Sequence, residues 1–251
     1  MHVVITAGGE CAPDLAAAIG SPAKALAPIG TRRCIDIVIA AARGLDPAGI
    51  AVVAPDAVAA HIGGRVERTI PADPSGIVNI ARALDAFPRP TRLLYLTCDL
   101  PFVSTAALAD FVARGEGAGI AMALADADAY AADYPASPGH AIRLGSERIA
   151  NGSVFLIDGA AIDPVAATAG RFFSARKSLP RLALLLGPAL LAKFALGRLR
   201  ISDVEARARA VLGLDARAIR NCAPATCYDI DSLADWTYAH SLALAQEAGA
   251  E

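Results

Sequence analysis

Short runs of aliphatic and β-branched residues alternate along this chain with stretches whose apolar positions recur at helical spacing. The runs His2 to Thr6, Ile50 to Ala54, Val66 to Ile70 and Arg92 to Thr97 read as strands. Helical spacing fits Cys34 to Arg43, Gly76 to Phe87 and Ser104 to Arg114, with Ser104 as N-cap just after the Pro101 turn. Such alternation predicts an α/β fold with a mainly parallel sheet and helices on both faces. Strands are predicted again at Gly119 to Leu124, Ala141 to Leu144 and Ser153 to Ile157. Between them Ala125 to Gly139, rich in Ala, Asp, Pro and Tyr, carries little periodicity and reads as an irregular excursion on the substrate side.

Beyond Arg171 the pattern turns helical, over Phe172 to Leu186, Pro188 to Leu196 and Ser202 to Leu212, where Ser202 and Glu205 have capping-box spacing. A short strand near Ala216 to Asn221 and a helix over Ser232 to Glu247 follow, the helix opened by Ser232 and Asp235. No repeat, low-complexity linker or charge run forces a boundary. The expected organisation is a single domain over 1–251 with a helical insertion at 171–213.

Composition narrows the function. With 251 residues, 55% of them apolar and 19% charged, the chain can bury a sizeable core. Its formal charge of −2 supplies no positive field to gather a nucleic-acid backbone or an anionic membrane. Any phosphate must be bound locally. Cys11, Cys34, Cys98, Cys222 and Cys227 form no CxxC pair, and His2, His61, His140 and His240 are scattered, so metal-ligand spacing is absent from them. Met1 to Glu10 has no cationic n-region or apolar segment of signal-peptide length, which predicts a cytoplasmic protein. The apolar stretch Leu182 to Gly197 holds Pro188 and Lys193 and is too short to span a bilayer.

Four segments carry candidate chemistry. Thr6-Ala7-Gly8-Gly9 follows a strand directly, and glycines there let backbone N–H groups approach an anion. It is neither a Walker A loop nor GxGxxG. Lys24, among small and apolar residues soon after that turn, can offset charge developing on a polyphosphate. The run Leu94 to Cys98 ends in Asp99 and Pro101, placing a carboxylate at a strand's carboxyl edge, where it can hold Mg²⁺ or cap the next helix. Alternation over Asp229-Ile230-Asp231 projects two carboxylates to one side of an extended segment, an arrangement that calls for a cation or donor between them.

In this order the segments resemble the nucleotidyltransferase superfamily typified by molybdenum-cofactor guanylyltransferase-like proteins. The resemblance rests on Ala7-Gly8-Gly9, Lys24-Ala25-Leu26-Ala27-Pro28-Ile29-Gly30, Thr97-Cys98-Asp99-Leu100-Pro101, Asn151-Gly152-Ser153-Val154-Phe155-Leu156 and Asp229 to Asp235. It implies a Rossmann-like three-layer α/β sandwich with a mixed, mainly parallel sheet, the GT-A-like nucleotidyltransferase fold. The implied reaction moves a nucleoside monophosphate from a triphosphate to a phosphorylated acceptor and releases pyrophosphate. Ala7, Gly8, Gly9 and Lys24 would hold the triphosphate, and Asp99 and Asp231 would be Mg²⁺ ligands. Gly76 and Asn79 match the segment that contacts base and ribose. The implied partners are GTP or CTP and a phosphorylated acceptor, with a homodimer left open, no nucleic acid and no transmembrane segment.

One departure stands out: the superfamily's signature arginine between the glycine turn and the lysine is missing, since Glu10 to Ala23 holds no basic residue. Arg32, Arg33, Arg143, Arg176 and Lys177 are the candidate replacements. Rival readings are a nucleotide-sugar glycosyltransferase, using Asp229-Ile230-Asp231 or Asp126-Ala127-Asp128 as its Asp-x-Asp motif, and a non-catalytic nucleotide-binding module. A further option is docking of Phe173 to Leu199 on a lipid surface or an amphiphilic acceptor.

Overall fold

The computed structural model describes residues 1–88, 90–138, 141–175 and 187–249. Eight strands form one sheet: β1 (His2–Thr6), β4 (Ile50–Ala54), β5 (Arg68–Pro71), β6 (Arg92–Thr97), β7 (Ile120–Asp126), β8 (Ala141–Leu144), β9 (Glu147–Asp158) and β10 (Ala216–Ile219). The order is β10-β7-β9-β6-β1-β4-β5, with β8 on the free stretch of β9. A separate hairpin joins β2 (Pro28–Ile29) to β3 (Arg32–Arg33). β1 pairs in parallel with both β4 and β6, while β9 runs antiparallel between β6 and β7. The sheet is therefore mixed and mainly parallel, as the sequence pattern predicts.

Both faces of β1 are buried, which is why it reads as a continuous apolar run. Val3 and Ile5 face one core with Val38 of α2 (Cys34–Arg43), Val58 of α3 (Asp56–Ile62) and Leu108 of α5 (Thr105–Arg114). Val4 faces the other with Leu84 of α4 (Gly76–Leu84) and Val165 of α7 (Ile162–Ala175), against which Leu212 of α9 (Ile201–Leu212) also packs. A third cluster joins Leu15 of α1 (Pro13–Ile19), Tyr130 of α6 (Ala127–Asp133), Tyr228 and Ala239 of α10 (Leu233–Ala248). Among the described residues the remaining α-helix is α8 (Pro188–Ala195).

Several expectations need correcting. Ala125 to Gly139 is not wholly irregular: Asp126 accepts from Asp128 N and Ala129 N at 2.9 and 3.0 Å and so caps α6. The helix predicted from Phe172 begins at Ile162, and residues 176–186 of that prediction lie outside the described residues. Ser202 and Glu205 form no capping box. α9 starts earlier, with Arg200 as N-cap and Asp203 Oδ2 accepting from Arg200 N at 3.0 Å, while Glu205 accepts from Ala218 N at 2.8 Å and ties α9 to β10. Ser104 and Ser232 do cap α5 and α10, accepting from Ala107 N and Asp235 N. Among the described residues no helix is long and apolar enough to cross a membrane, although Phe194 and Leu196 at the end of α8 are exposed.

β9 carries a local irregularity with consequences for the site. Met122 faces Phe155 but Leu124 faces Asn151, so two steps along β7 match four along β9. The surplus falls on Gly152 to Val154, a bulge that bends the strand and re-aims Ser153. A Cβ on Gly152 would lie 2.7 Å from Thr226 O and 2.9 Å from Ala123 O, so only glycine lets these backbones approach.

Candidate active site

The carboxyl ends of β1 and β6 open onto a cavity of about 710 Å³, at the edge where open α/β sheets bind their ligands. Gly8 and Gly9 follow β1, and Thr97, Cys98 and Asp99 close β6. Lys24 arrives from a folded-back loop. Cys11 N donates to Pro22 O at 2.9 Å, Glu10 bridges to Ala23, and Lys24 N donates to Gly9 O at 3.5 Å. Gly20, at φ +70°, ends α1 and makes the return possible. The lysine is thus held against the glycine turn by backbone pairing.

Lys24 Nζ donates to Asp99 Oδ2 at 3.0 Å and to Asp231 Oδ1 at 2.7 Å. The lysine and Asp99 side chains are 12% and 13% exposed, whereas Asp231 is 65% exposed. Burial alone would lower the lysine's affinity for its proton, but the two carboxylates more than reverse this and hold it well above the ordinary lysine range. Asp231 is fixed from behind: Ile230 N donates to Asp99 O at 3.1 Å, and Asp231 N and Ser232 N donate to Asp235 Oδ2 at 3.2 and 2.7 Å. Asp229 takes a different partner, accepting from Ser153 Oγ at 3.3 Å across the β9 bulge.

The opposite wall is α4 and the loop before it. Asn79, buried, accepts from Asp73 N at 2.7 Å and donates to Asp73 O at 2.8 Å, so its amide braces the loop that lines the cavity. Gly8 lies beneath that amide, and a Cβ there would come within 2.5 Å of Asn79 Nδ2. Gly76 begins α4 at the cavity rim. Tyr95 donates to or accepts from Thr6 Oγ1 at 2.9 Å, and burial pushes its hydroxyl up to about 12 against that bond, so it is a neutral partner.

Of the eight residues singled out in the sequence, Gly8, Gly9, Lys24, Gly76, Asn79, Asp99 and Asp231 line this cavity. Ala7 does not: its N–H donates to Val53 O at 2.8 Å and its side chain is in the core. Glu10, also on the cavity wall, lies outside the segments singled out in the sequence, while Thr6, Tyr95 and Thr97 fall inside those segments without being assigned a role of their own. Alternation along β6 was a usable signal, because Tyr95, Thr97 and Asp99 are spaced by two.

The arginine candidates are placed elsewhere. Arg32 donates to Asp36 O, Arg33 to Leu26 O and Arg143 to Gly145 O, and none lines the cavity. Arg176 and Lys177 lie outside the described residues. Lys24 is the only cationic side chain on the cavity wall among the described residues. The pattern Asp126-Ala127-Asp128 is structural, with Asp126 capping α6 and Asp128 paired to Arg148 at 3.1 Å.

Two buried atoms on the wall, Asp99 Oδ1 and Thr97 Oγ1, have no hydrogen-bond partner among the described residues. With Asp231 Oδ1 close by on the other side of the lysine, the donor set is two carboxylates on the cavity wall, one buried and one exposed. That set suits a hard divalent cation whose remaining ligands are water and phosphate oxygens.

Residues 3–213 match the model of the MobA-like NTP transferase domain. The chain belongs to this family. It is accordingly a nucleotidyltransferase-family enzyme, and Asp231 lies beyond the matched span. No curated protein matches the sequence. Among solved structures, a hypothetical transferase from Thermus thermophilus is similar at 26% identity and a TM-score of 0.82, covering 94% of this chain and 98% of its own. The 2-C-methyl-D-erythritol 4-phosphate cytidylyltransferase of Thermus thermophilus is 17% identical with a TM-score of 0.54 over 96% and 98% of the two chains. CMP:2-keto-3-deoxy-manno-octonic acid synthetase, complexed with CTP, is 15% identical with a TM-score of 0.60 over 98% of each. Members of the MobA-like family and these neighbours share the GT-A-like arrangement described above.

Proposed function

We propose that this protein is a Mg²⁺-dependent nucleotidyltransferase that moves a nucleoside monophosphate from CTP or GTP to a phosphorylated small-molecule acceptor, releasing pyrophosphate. The observation that carries this reading is the meeting of Lys24, Asp99 and Asp231 over a glycine turn at one sheet edge. CTP gains weight from the cytidylyl-type neighbours.

In this reading the Gly8–Gly9 backbone receives the triphosphate, with no Cβ to keep it away. Lys24 turns from the carboxylates to the phosphates and offsets charge that builds as the bond to pyrophosphate breaks. Gly76 and the loop braced by Asn79 border the nucleoside. Asp99 and Asp231 would hold Mg²⁺, which when bound supplies charge neutralisation and orientation of phosphate oxygens. Phosphoryl transfer asks little covalent help of a protein, so positioning carries most of the rate. The acceptor oxygen attacks the α-phosphorus in line and pyrophosphate departs opposite.

Pyrophosphate release from CTP, GTP, ATP and UTP, with Mg²⁺ and a panel of phosphorylated acceptors, tests the reading. Base-selective release that Asp99→Ala abolishes is the expected result. Nucleotide binding without release on any acceptor would favour a binding module, and retention of most activity by Asp99→Ala would overturn the site assignment.

A further inference from the structure

A second cavity, of about 550 Å³, opens beside the first. Ile80, Tyr95 and Thr97 wall both, so the two spaces are contiguous. Its character is different. Met122, Phe155 and Ile157 line it from the sheet and Leu84, Val165 and Leu212 from the helices; Asn151, Ser153 and Thr168 add a minor polar share, and no charged side chain lines it among the described residues. Thr97 stands at the seam, its buried Oγ1 without a partner among the described residues.

A sugar or pterin body would lose hydrogen bonds to water here and find few replacements, at a cost that apolar walls cannot return. A hydrocarbon or aromatic body loses nothing by leaving water and gains in proportion to its buried area. The volume falls within the range of small-molecule sites. Building on the nucleotidyltransferase reading, we propose that the acceptor is a phosphomonoester carried on an apolar body, with the body in this second cavity and the phosphate at the Thr97 seam. An oxygen of that phosphate forms the new bond to the α-phosphorus. The bond from the α-phosphorus to the bridging oxygen breaks, and its electron pair leaves with pyrophosphate. No proton need move, because the attacking oxygen is already ionised.

Binding of n-alkyl phosphates of increasing chain length, and of phenyl and naphthyl phosphate, can be measured by titration calorimetry on the whole protein. Affinity should rise about fourfold per added methylene until the cavity is full. Ala169→Phe, which fills the cavity from α7, and Met122→Glu, which charges it, should flatten the series while the nucleotide-induced rise in melting temperature persists. A flat wild-type series, as a polar acceptor or a cavity filled by another part of the chain would give, overturns the proposal. So does a steep series that survives both variants. Failure of the parent reading looks different: the wild type would release no pyrophosphate from any nucleoside triphosphate with any phosphorylated acceptor, whatever the alkyl series does.

Discussion

Lys24 Nζ lies between Asp99 Oδ2 and Asp231 Oδ1, bonded to both, so one ammonium stands where two carboxylates would otherwise repel each other. A divalent cation held by Asp99 and Asp231 would neutralise the same two carboxylates and free the lysine for a phosphate. Lys24→Met should therefore destabilise the metal-free protein by about 3 kcal/mol, since it strands a buried carboxylate. Added Mg²⁺ should restore the melting temperature of the variant more than it raises that of the wild type. Melting curves in chelator and in Mg²⁺ decide this, and identical responses of the two proteins would sink it.

The two carboxylates differ in burial, and their substitutions should separate accordingly. Both Asp99→Asn and Asp231→Asn are expected to lower kcat/KM by about a hundredfold or more. Asp231, largely exposed, should leave the melting temperature within about 1 °C of wild type, whereas Asp99, buried and salt-bridged, should not. Thermal denaturation beside steady-state kinetics would show the split.

The glycine turn offers a paired test. Gly8→Ala drives a methyl into the Asn79 amide, which is locked onto Asp73 and cannot retreat. A rise of about tenfold in the KM for nucleotide is expected, as the turn shifts off its position. Gly9→Ala meets nothing within 4 Å and should leave stability unchanged. Equal melting temperatures for the two variants would contradict the packing described for Gly8.

Acid stability should depend on Asp36 of α2, which accepts from Arg65 Nη1 at 2.7 Å and contacts His61 Nε2 at 3.0 Å. Burial raises its pKa, but the Arg65 and His61 bonds prevail and hold it below the usual value of 3.8. A depressed carboxylate contributes stability above its unfolded pKa and loses it as pH falls through the folded value. Asp36→Asn should thus cost about 1 kcal/mol at pH 7, with the gap closing below pH 3.8. Urea denaturation of both proteins at pH 7 and pH 3 measures the closure.

What the sequence reveals depends on how far each signal reaches. Cys34–Arg43 is legible to the residue because one apolar face repeats without interruption, and β1, β4 and β6 because both their faces are buried. α1, α3 and α6, each of seven residues, are too short to establish a period. α1 nonetheless carries Pro13 at its start and Gly20 at its end, a usable pair of boundary signals. In the site, Gly8, Lys24, Asp99 and Asp231 can be named from local motifs. That Lys24 bridges the two aspartates, that Asn79 turns to Asp73, and that no named arginine among the described residues reaches the cavity are tertiary facts with no local trace.

The hydrogen bond from Ile230 N to Asp99 O gives the site a schedule. Lys24 is separated from Asp99 by 75 positions and from Asp231 by 207. A growing chain can join the first pair while the last carboxylate has yet to be synthesised, and domains acquire structure as they emerge. A chain ending before Asp231 has one aspartate, Asp99, for this lysine and lacks the second. The bracket around Lys24 is complete only once residues through Asp235, which anchors Asp231 N and Ser232 N, have joined the fold.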